Sequence, residues 1–572
     1  MGIKEFNKSE ISPGSMGTVF AVDWDFQSSE AVILPERRHN LDDTPFFLKV
    51  FHINDLHGNI YRFNPDGSRT GVFSKIVNQV EKAHTASLED DNEGVIFLSA
   101  GDDSIGTPMD SLTGYDGEDF VTHSVYKAFS IGGVDATILG NHDLDTGIKT
   151  LKHSITRDAD FPILSANLQH QGELDGFVFP GAIAVVKDVR IGIIGLTPPG
   201  QMRSRKGSEY TIGDPYESVM KVHDLIAPFC DAMIILSHLG YKLGSTFATV
   251  NITGDIELAS RLKNSSIDLI VGGHTHDFLN INGLEPKNLV DRIPILQSGY
   301  NGLFFGKGTM KISHKNNLRK TSILPTCSLT ESEKFNSKYI SIIGPDIEKL
   351  ADSSGRMIIP EKFITDKIEM TKDRSENPMA NFITDALCSE LKDKKIIVDF
   401  TSIDSSSMVS LFDFRKESVN IIDLYRLMPY ADTLVIFNLS GRELERIIIS
   451  NALRLDYEDI SNVPRGFLHF SRELRYSINY EKRTVSDITI NGISIKDCYD
   501  RSISVAAPNF VQGLGVNWEK SDSMPGKSLS NIRAYPFNDI GLYVRKELLA
   551  YIEKNDISEK SGFLTDGRLK IV

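Results

Sequence analysis

The chain has 572 residues, more than one ordinary hydrophobic core accommodates, so two or more domains are expected. Its net charge of −15 excludes a general nucleic-acid binder, though not a phosphorylated substrate, because bound cations reverse the local sign. The four cysteines, Cys230, Cys327, Cys388 and Cys498, form no CxxC pair and read as reduced, mostly buried thiols; two long-range disulfides stay open for an oxidising compartment.

The first residues contain no apolar leader stretch, Phe6 stands where a myristoylation motif needs Ser or Thr, and no run reaches the length of a membrane span. The expectation is therefore a cytoplasmic protein without a membrane partner. Residues 1–44 are weakly patterned and read as an N-terminal extension, with one candidate strand at Val19-Phe20-Ala21-Val22.

From Phe46 the pattern becomes regular. Leu48 to Ile53 reads as a strand ending in Asn54-Asp55-Leu56-His57-Gly58, and a helix follows with Val72, Phe73, Ile76, Val77 and Val80 on one face. Val95 to Ser99 reads as a buried strand ending in Gly101-Asp102-Asp103-Ser104-Ile105-Gly106. Ala136 to Leu139 is another, ending in Gly140-Asn141-His142-Asp143-Leu144-Asp145. Pro162 to Asn167 and Val189 to Gly195 continue the series, and Asp214-Pro215 opens a helix as cap and first residue. Met233 to Leu236 closes with Ser237-His238-Leu239-Gly240, a helix starts near Asp255, and Ile267 to Val271 closes with Gly272-Gly273-His274-Thr275-His276. Ile293 to Gln297 and Phe304 to Ile312 end the domain near residue 325. A charged helix from about Leu329 to Asp352 reads as a linker, placed at 326–359. A second domain over 360–572 has strands at Ile396-Ile397-Val398, Leu434 to Phe437 and Ile503 to Ala506, and a helix opening at Gly441.

Strands alternating with helices, each strand closed by a polar cluster, describe an α/β fold whose ligands sit at strand C-termini. The clusters supply Asp55, His57, Asp102, Asn141, His142, Asp145, His238, His274 and His276, all oxygen or nitrogen donors with no thiolate. Singly, the aspartates are as readily turn or cap residues, and Asn141 beside Gly140 a turn former. Together they suit divalent ions such as Mn, Zn, Co, Ni or Mg, and are too many for one ion. Two ions bridged by a carboxylate use them naturally and can clamp a phosphoryl group.

These five motifs resemble the calcineurin-like metallophosphoesterases, and in order and spacing the two-domain 5′-nucleotidase family, which includes UDP-sugar hydrolases and 2′,3′-cyclic nucleotide phosphodiesterases. The resemblance covers about residues 46 to 545. It implies an N-terminal metallophosphoesterase α/β sandwich over 45–325, a linker helix, and a C-terminal α+β substrate domain. It further implies one metal on Asp55, His57 and His276, a second on Asn141, His238 and His274, and Asp102 between them. His142 matches the catalytic histidine and Asp145 the carboxylate that orients it. The implied reaction is phosphoester hydrolysis by metal-bound water or hydroxide, on a small nucleotide-like phosphate.

The second domain departs from the family pattern. Lys372 stands about where a phosphate-binding arginine is usual, with Arg374 near enough to substitute. Asp404 replaces an asparagine and Val409 an arginine, both changes that disfavour an anion there. Tyr430 and Phe510 are the candidate base-stacking rings; near Phe510 the usual aspartate is missing. The expected substrate pocket is thus divergent. Two further readings accommodate it: a binding or scaffold protein with weak or lost activity, and a thiosulfohydrolase-like enzyme acting on sulfur.

Overall fold

The computed structural model describes residues 2–6, 17–36, 39–63, 69–114, 117, 120–170, 172–198, 210–242, 254–315, 318–330, 334, 343–354, 357–360, 376–404, 407–408, 418–453, 467–482, 484–509, 537–555 and 564–572. The chain divides into two units, one ending at Ser353 and the other running from Ser354 to Val572.

In the first unit an eight-stranded sheet has the order Ile3–Phe6, Thr18–Val22, Gly181–Val186, Val189–Leu196, Ala232–Ser237, Leu269–Gly272, Ile293–Leu296, Leu289–Val290. The four strands from Val189 to Leu296 in this order are mutually parallel. They are nearly continuous apolar runs, as strands covered on both faces must be. A second sheet has the order Leu318–Leu329, Phe304–Lys315, Phe46–Ile53, Glu93–Ser99, with the last two parallel. Leu48, Val50, Ile96 and Leu98 of this sheet meet Ala184, Ile191, Ile193, Ile234 and Leu236 of the first in one buried cluster. Each such Leu, Ile or Val side chain contributes roughly 1.5–3 kcal/mol on leaving water. Helices Pro215–Ile226 and Asp255–Arg261 cover the far face of the eight-stranded sheet through Val219, Val222, Leu258 and Ala259. The Asp214 carboxylate accepts the Glu217 N–H and caps the first of these helices. Helix Val72–Ser87 covers the smaller sheet, with the Phe73 ring stacked on Phe97 and against Phe129.

The two N-terminal strands extend the edge of the large sheet. Val22 lies opposite both Ile3 and Gly181, and Val19 to Val22 are buried. Two expectations are corrected. Leu318–Leu329 is a strand paired along its whole length with Phe304–Lys315, and the helix expected from Leu329 is Pro345–Ser354. The long hairpin, a tertiary pairing, fixes the extended backbone there. Ile396 to Val398 is a connector with Ile397 exposed; the strand begins at Phe400, where the residues become buried.

The second unit holds a five-stranded sheet in the order Leu468–Phe470, Phe400–Asp404, Ser502–Pro508, Thr433–Ser440, Phe537–Tyr543. A four-stranded sheet ends on Leu569–Ile571, beside which the buried Arg568 guanidinium pairs with Asp385 and Asp566. The Asn377 side chain accepts the Met379 and Ala380 N–H groups and starts helix Pro378–Asp393. All four thiols are free, and among the described residues no helix is long and apolar enough to cross a membrane.

Burial pushes the imidazoles of His52 and His123 down to about 3 and that of His469 to about 4. The unfolded chain protonates these rings near 6.5 and the native chain does not, so stability falls as pH drops through 6.5. For His469 the loss by pH 4.5 is about 2–3 kcal/mol. Urea unfolding of His469→Gln should lose correspondingly less stability than wild type between pH 7 and 4.5; equal losses would refute the assignment.

Candidate metal centre

Asp55 follows strand Phe46–Ile53, Asp102 follows Glu93–Ser99, Asn141 and His142 follow Thr137–Ile138, His238 follows Ala232–Ser237, and His274 follows Leu269–Gly272. Each of these strands is parallel to a neighbour in the set, so their C-terminal ends deliver the loops to one side. Backbone bonds continue past the strand ends: Asp55 N–H to Gly101 O at 2.9 Å, His57 N–H to Asp102 O at 3.0 Å, Gly58 N–H to Asp103 O at 2.8 Å. Asp55, His57, Asp102, His274 and His276 all have positive φ, between 48° and 75°. Non-glycine residues in that region are costly and concentrate at functional sites.

Two triads form. Asp55, His57 and His276 present ligand atoms within 4.8 Å of one another, and so do Asp102, His238 and His274. His57 Nε2 and His276 Nε2 are 3.3 Å apart, and His276 Nε2 is 3.2 Å from Asp55 Oδ1. Two imidazole nitrogens bound tetrahedrally to one ion lie roughly 3.4 Å apart, so the spacing fits a shared cation. His238 Nε2 lies 3.0 Å from Asp102 Oδ2 and 3.6 Å from Asp55 Oδ1. Its Nδ1–H donates to Ala100 O at 2.6 Å, which leaves Nε2 as the nitrogen that faces the carboxylates. Asp55 Oδ1, Asn141 Oδ1 and His238 Nε2 are buried without a hydrogen-bond partner. Such orphaned donors in a carboxylate–imidazole–carboxamide set fit divalent cations.

The electrostatics agree. Burial alone would push His238 down, but the Asp102 and Asp55 carboxylates outweigh it and hold the ring up at about 10. The position therefore demands a positive charge. Burial pushes His57 down to about 4 and, with His238 beside it, His274 to about 3, the neutral form that a metal ligand needs. Against the upward push of burial, His238 and His276 hold Asp55 at about 2, and His238 with His142 holds Asp102 well below the carboxylate range.

His142 stands apart from both triads. Its Nδ1 is 2.8 Å from Asp145 Oδ2, and its backbone N–H donates to Asp102 Oδ1 at 2.8 Å. With Nδ1 engaged, chemistry toward a ligand falls to Nε2. Glycines let the loops close up: a Cβ on Gly140 would overlap Asp102 Oδ1, and one on Gly273 would sit 2.8 Å from Ala100 O.

The second-domain candidates are placed less fully. Lys372, Arg374, Val409 and Phe510 lie outside the described residues. Tyr430 is half-buried just before strand Thr433–Ser440, and Asp404 is fully buried at the end of Phe400–Asp404. Supporting side chains escaped sequence reasoning. Asn54 donates to Asp55 Oδ2 at 2.7 Å and to Gly299 O at 2.5 Å, and accepts the Ser298 N–H at 2.8 Å. Gln297 donates to Gly273 O and accepts the Asp277 N–H, both at 2.5 Å. Gln297 also follows a strand, Ile293–Leu296, so the strand-end signal that singled out the ligands applies to it.

Residues 48–278 match the model of the calcineurin-like phosphoesterase family, and residues 359–520 that of the 5′-nucleotidase C-terminal domain. The chain is 21% identical to Protein UshA of Yersinia enterocolitica over 92% of this chain and 94% of that protein. It is 28% identical to the snake venom 5′-nucleotidase of Gloydius brevicauda over 48% of this chain and 47% of the relative. A crystal structure of a 5′-nucleotidase precursor from Thermus thermophilus aligns with TM-score 0.57 and 20% identity, over 92% of this chain and 99% of that one. These relatives overturn the expectation of a cytoplasmic protein. The Gloydius protein is a venom component and the Thermus chain a precursor, descriptions that belong to exported or processed proteins.

Proposed function

The chain belongs to the two-domain 5′-nucleotidase family of the calcineurin-like metallophosphoesterases, whose members are metal-dependent phosphoric ester hydrolases, and on that premise we propose that it hydrolyses a small nucleotide-like phosphoester through a dinuclear metal centre. The observation that carries the proposal is the pair of adjoining triads, together with buried Asp55 Oδ1, His238 Nε2 and Asn141 Oδ1 that lack a hydrogen-bond partner.

In this reading Asp55, His57 and His276 would hold one divalent ion and Asn141, His238 and His274 the other, with Asp102 available to both. When bound, such a pair neutralises phosphoryl charge and lowers the pKa of the attacking water. The protein's own residues do the remainder. His142 donates from Nε2 to a phosphoryl oxygen as charge develops in the transition state, and Asp145 at Nδ1 fixes the ring and favours its cationic form. The positions held in left-handed backbone keep the donors preorganised before substrate arrives.

The substrate domain sets the choice of ester. Asp404, where the family carries a neutral amide, makes an unmodified nucleoside monophosphate a poor fit, and Lys372, Arg374, Tyr430 and Phe510 are the candidates for phosphate and base contacts. The test is product release from AMP, UMP, ADP, a UDP-sugar, a 2′,3′-cyclic nucleotide and bis-p-nitrophenyl phosphate, across Mn, Co, Zn and Mg. Chelation should reduce turnover to background and one or more of these ions restore it. Chelator-resistant turnover would refute the metal-dependent reading. No turnover of any ester by protein carrying two metals would favour the scaffold.

A further inference from the structure

The loops carrying the proposed ligands are tied together unequally. The first and second, residues 54–58 and 100–106, are joined by a run of backbone hydrogen bonds. The second and third, residues 100–106 and 139–145, share no such run: the last backbone bond between their segments is Ser99 N–H to Ala136 O, below both loops. What joins them is a pair of carboxylates.

Asp143 is 4% exposed. Its Oδ2 accepts the N–H of Gly140 at 2.8 Å and of Asp102 at 3.1 Å, and its Oδ1 accepts the N–H of Ser104 at 3.2 Å. In return, Asp102 Oδ1 accepts the N–H of His142. Each loop thus places a carboxylate on the other's backbone. Gly140 makes the approach possible, since a Cβ there would strike the Asp102 carboxylate.

We infer that Asp143 is a positioning residue: its carboxylate clips the Asp102 loop to the Asn141–His142 loop and so sets the geometry between the two metal positions. The inference rests on the dinuclear reading above. It explains why a carboxylate is needed one residue beyond His142, where it touches no ligand atom. Three convergent N–H donors must be matched by acceptors only. An asparagine would turn its NH₂ toward at least one of them, leaving donor against donor. A glutamate keeps two acceptors.

The experiment compares wild type, Asp143→Asn and Asp143→Glu by manganese titration, by electron paramagnetic resonance of the manganese-loaded protein, and by kcat and KM on the best ester of the panel. Wild type should bind two ions and show an exchange-coupled pair. Asp143→Asn should hold one ion at near wild-type affinity, bind the second about 10–100-fold more weakly, lose the coupled signal, and lose kcat by a similar factor with KM little changed. Asp143→Glu should recover part of the coupling. A merely structural role would lower the melting temperature and leave coupling and second-site affinity intact in the folded fraction. That result overturns the inference. Wild type that binds fewer than two ions would instead overturn the dinuclear reading. Should Asp143→Asn not fold, hydrogen exchange of the wild-type amides decides: protected Asp102, Ser104 and Gly140 support the clip, and fast exchange at all three refutes it.

Discussion

Asp102→Asn is expected to lower turnover by about 10³-fold or more and to cut the metal content of the protein from two ions toward one. The change is nearly isosteric. Its carbonyl oxygen can still accept the His142 N–H, so the loop contact survives. What disappears is the negative charge at Oδ2, which lies 3.0 Å from His238 Nε2 in the middle of the cluster. Without it the pull that holds His238 up at about 10 is reduced to that of Asp55, and the demand for a cation at this position falls with it. Elemental analysis and turnover should therefore drop together. An Asp102→Asn protein that kept two ions and full turnover would show that this carboxylate does not lie between the metals.

His142→Ala should separate the same two observables. The side chain belongs to neither triad, and its backbone N–H, which holds Asp102, is untouched. Both ions should remain, while kcat falls by about 10²–10³-fold, the usual consequence of deleting one preorganised donor to developing transition-state charge. Asp145→Asn should give a smaller fall, because it keeps an acceptor at Nδ1 and loses only the charge that favours the imidazolium. Metal loss in His142→Ala would make the ring a ligand instead of a donor. Unchanged kcat with both ions bound would remove it from the mechanism.

The proposed ligand set was legible because parallel strands in this fold are short apolar runs that stop abruptly, and a polar residue at such a stop has few structural uses. Asp55, Asp102, His238 and His274 each lie within three residues of a strand end. The supporting residues were harder. Asn54 and Asp143 sit inside the same motifs as the proposed ligands, but their value lies in bonds to backbone groups 245 and 41 positions away, which no local pattern reports. The hairpin strand Leu318–Leu329 was obscured by charge: Arg319 and Lys320 resemble a solvated connector until the partner strand is known. The edge strand Ile3–Phe6 carries Lys4 and Glu5 in its middle, as an edge tolerates and an isolated reading does not. In the second domain the expected pocket residues rest on resemblance alone, and Lys372, Arg374 and Phe510 lie outside the described residues.

The left-handed backbone at five of the proposed ligand positions also bears on how this centre can change. A substitution at Asp55, His57, Asp102, His274 or His276 must satisfy two filters at once, a donor chemistry and a backbone conformation that L-residues disfavour. Glycine passes the second but offers no donor; asparagine and aspartate pass both, while β-branched residues fail the second outright. Few neighbouring sequences are open to such positions, so drift there is confined whatever happens to the substrate. The second domain's Asp404, in ordinary strand conformation, carries no such restriction. On the dinuclear reading, change of specificity has more room in the second domain than at the proposed metal centre.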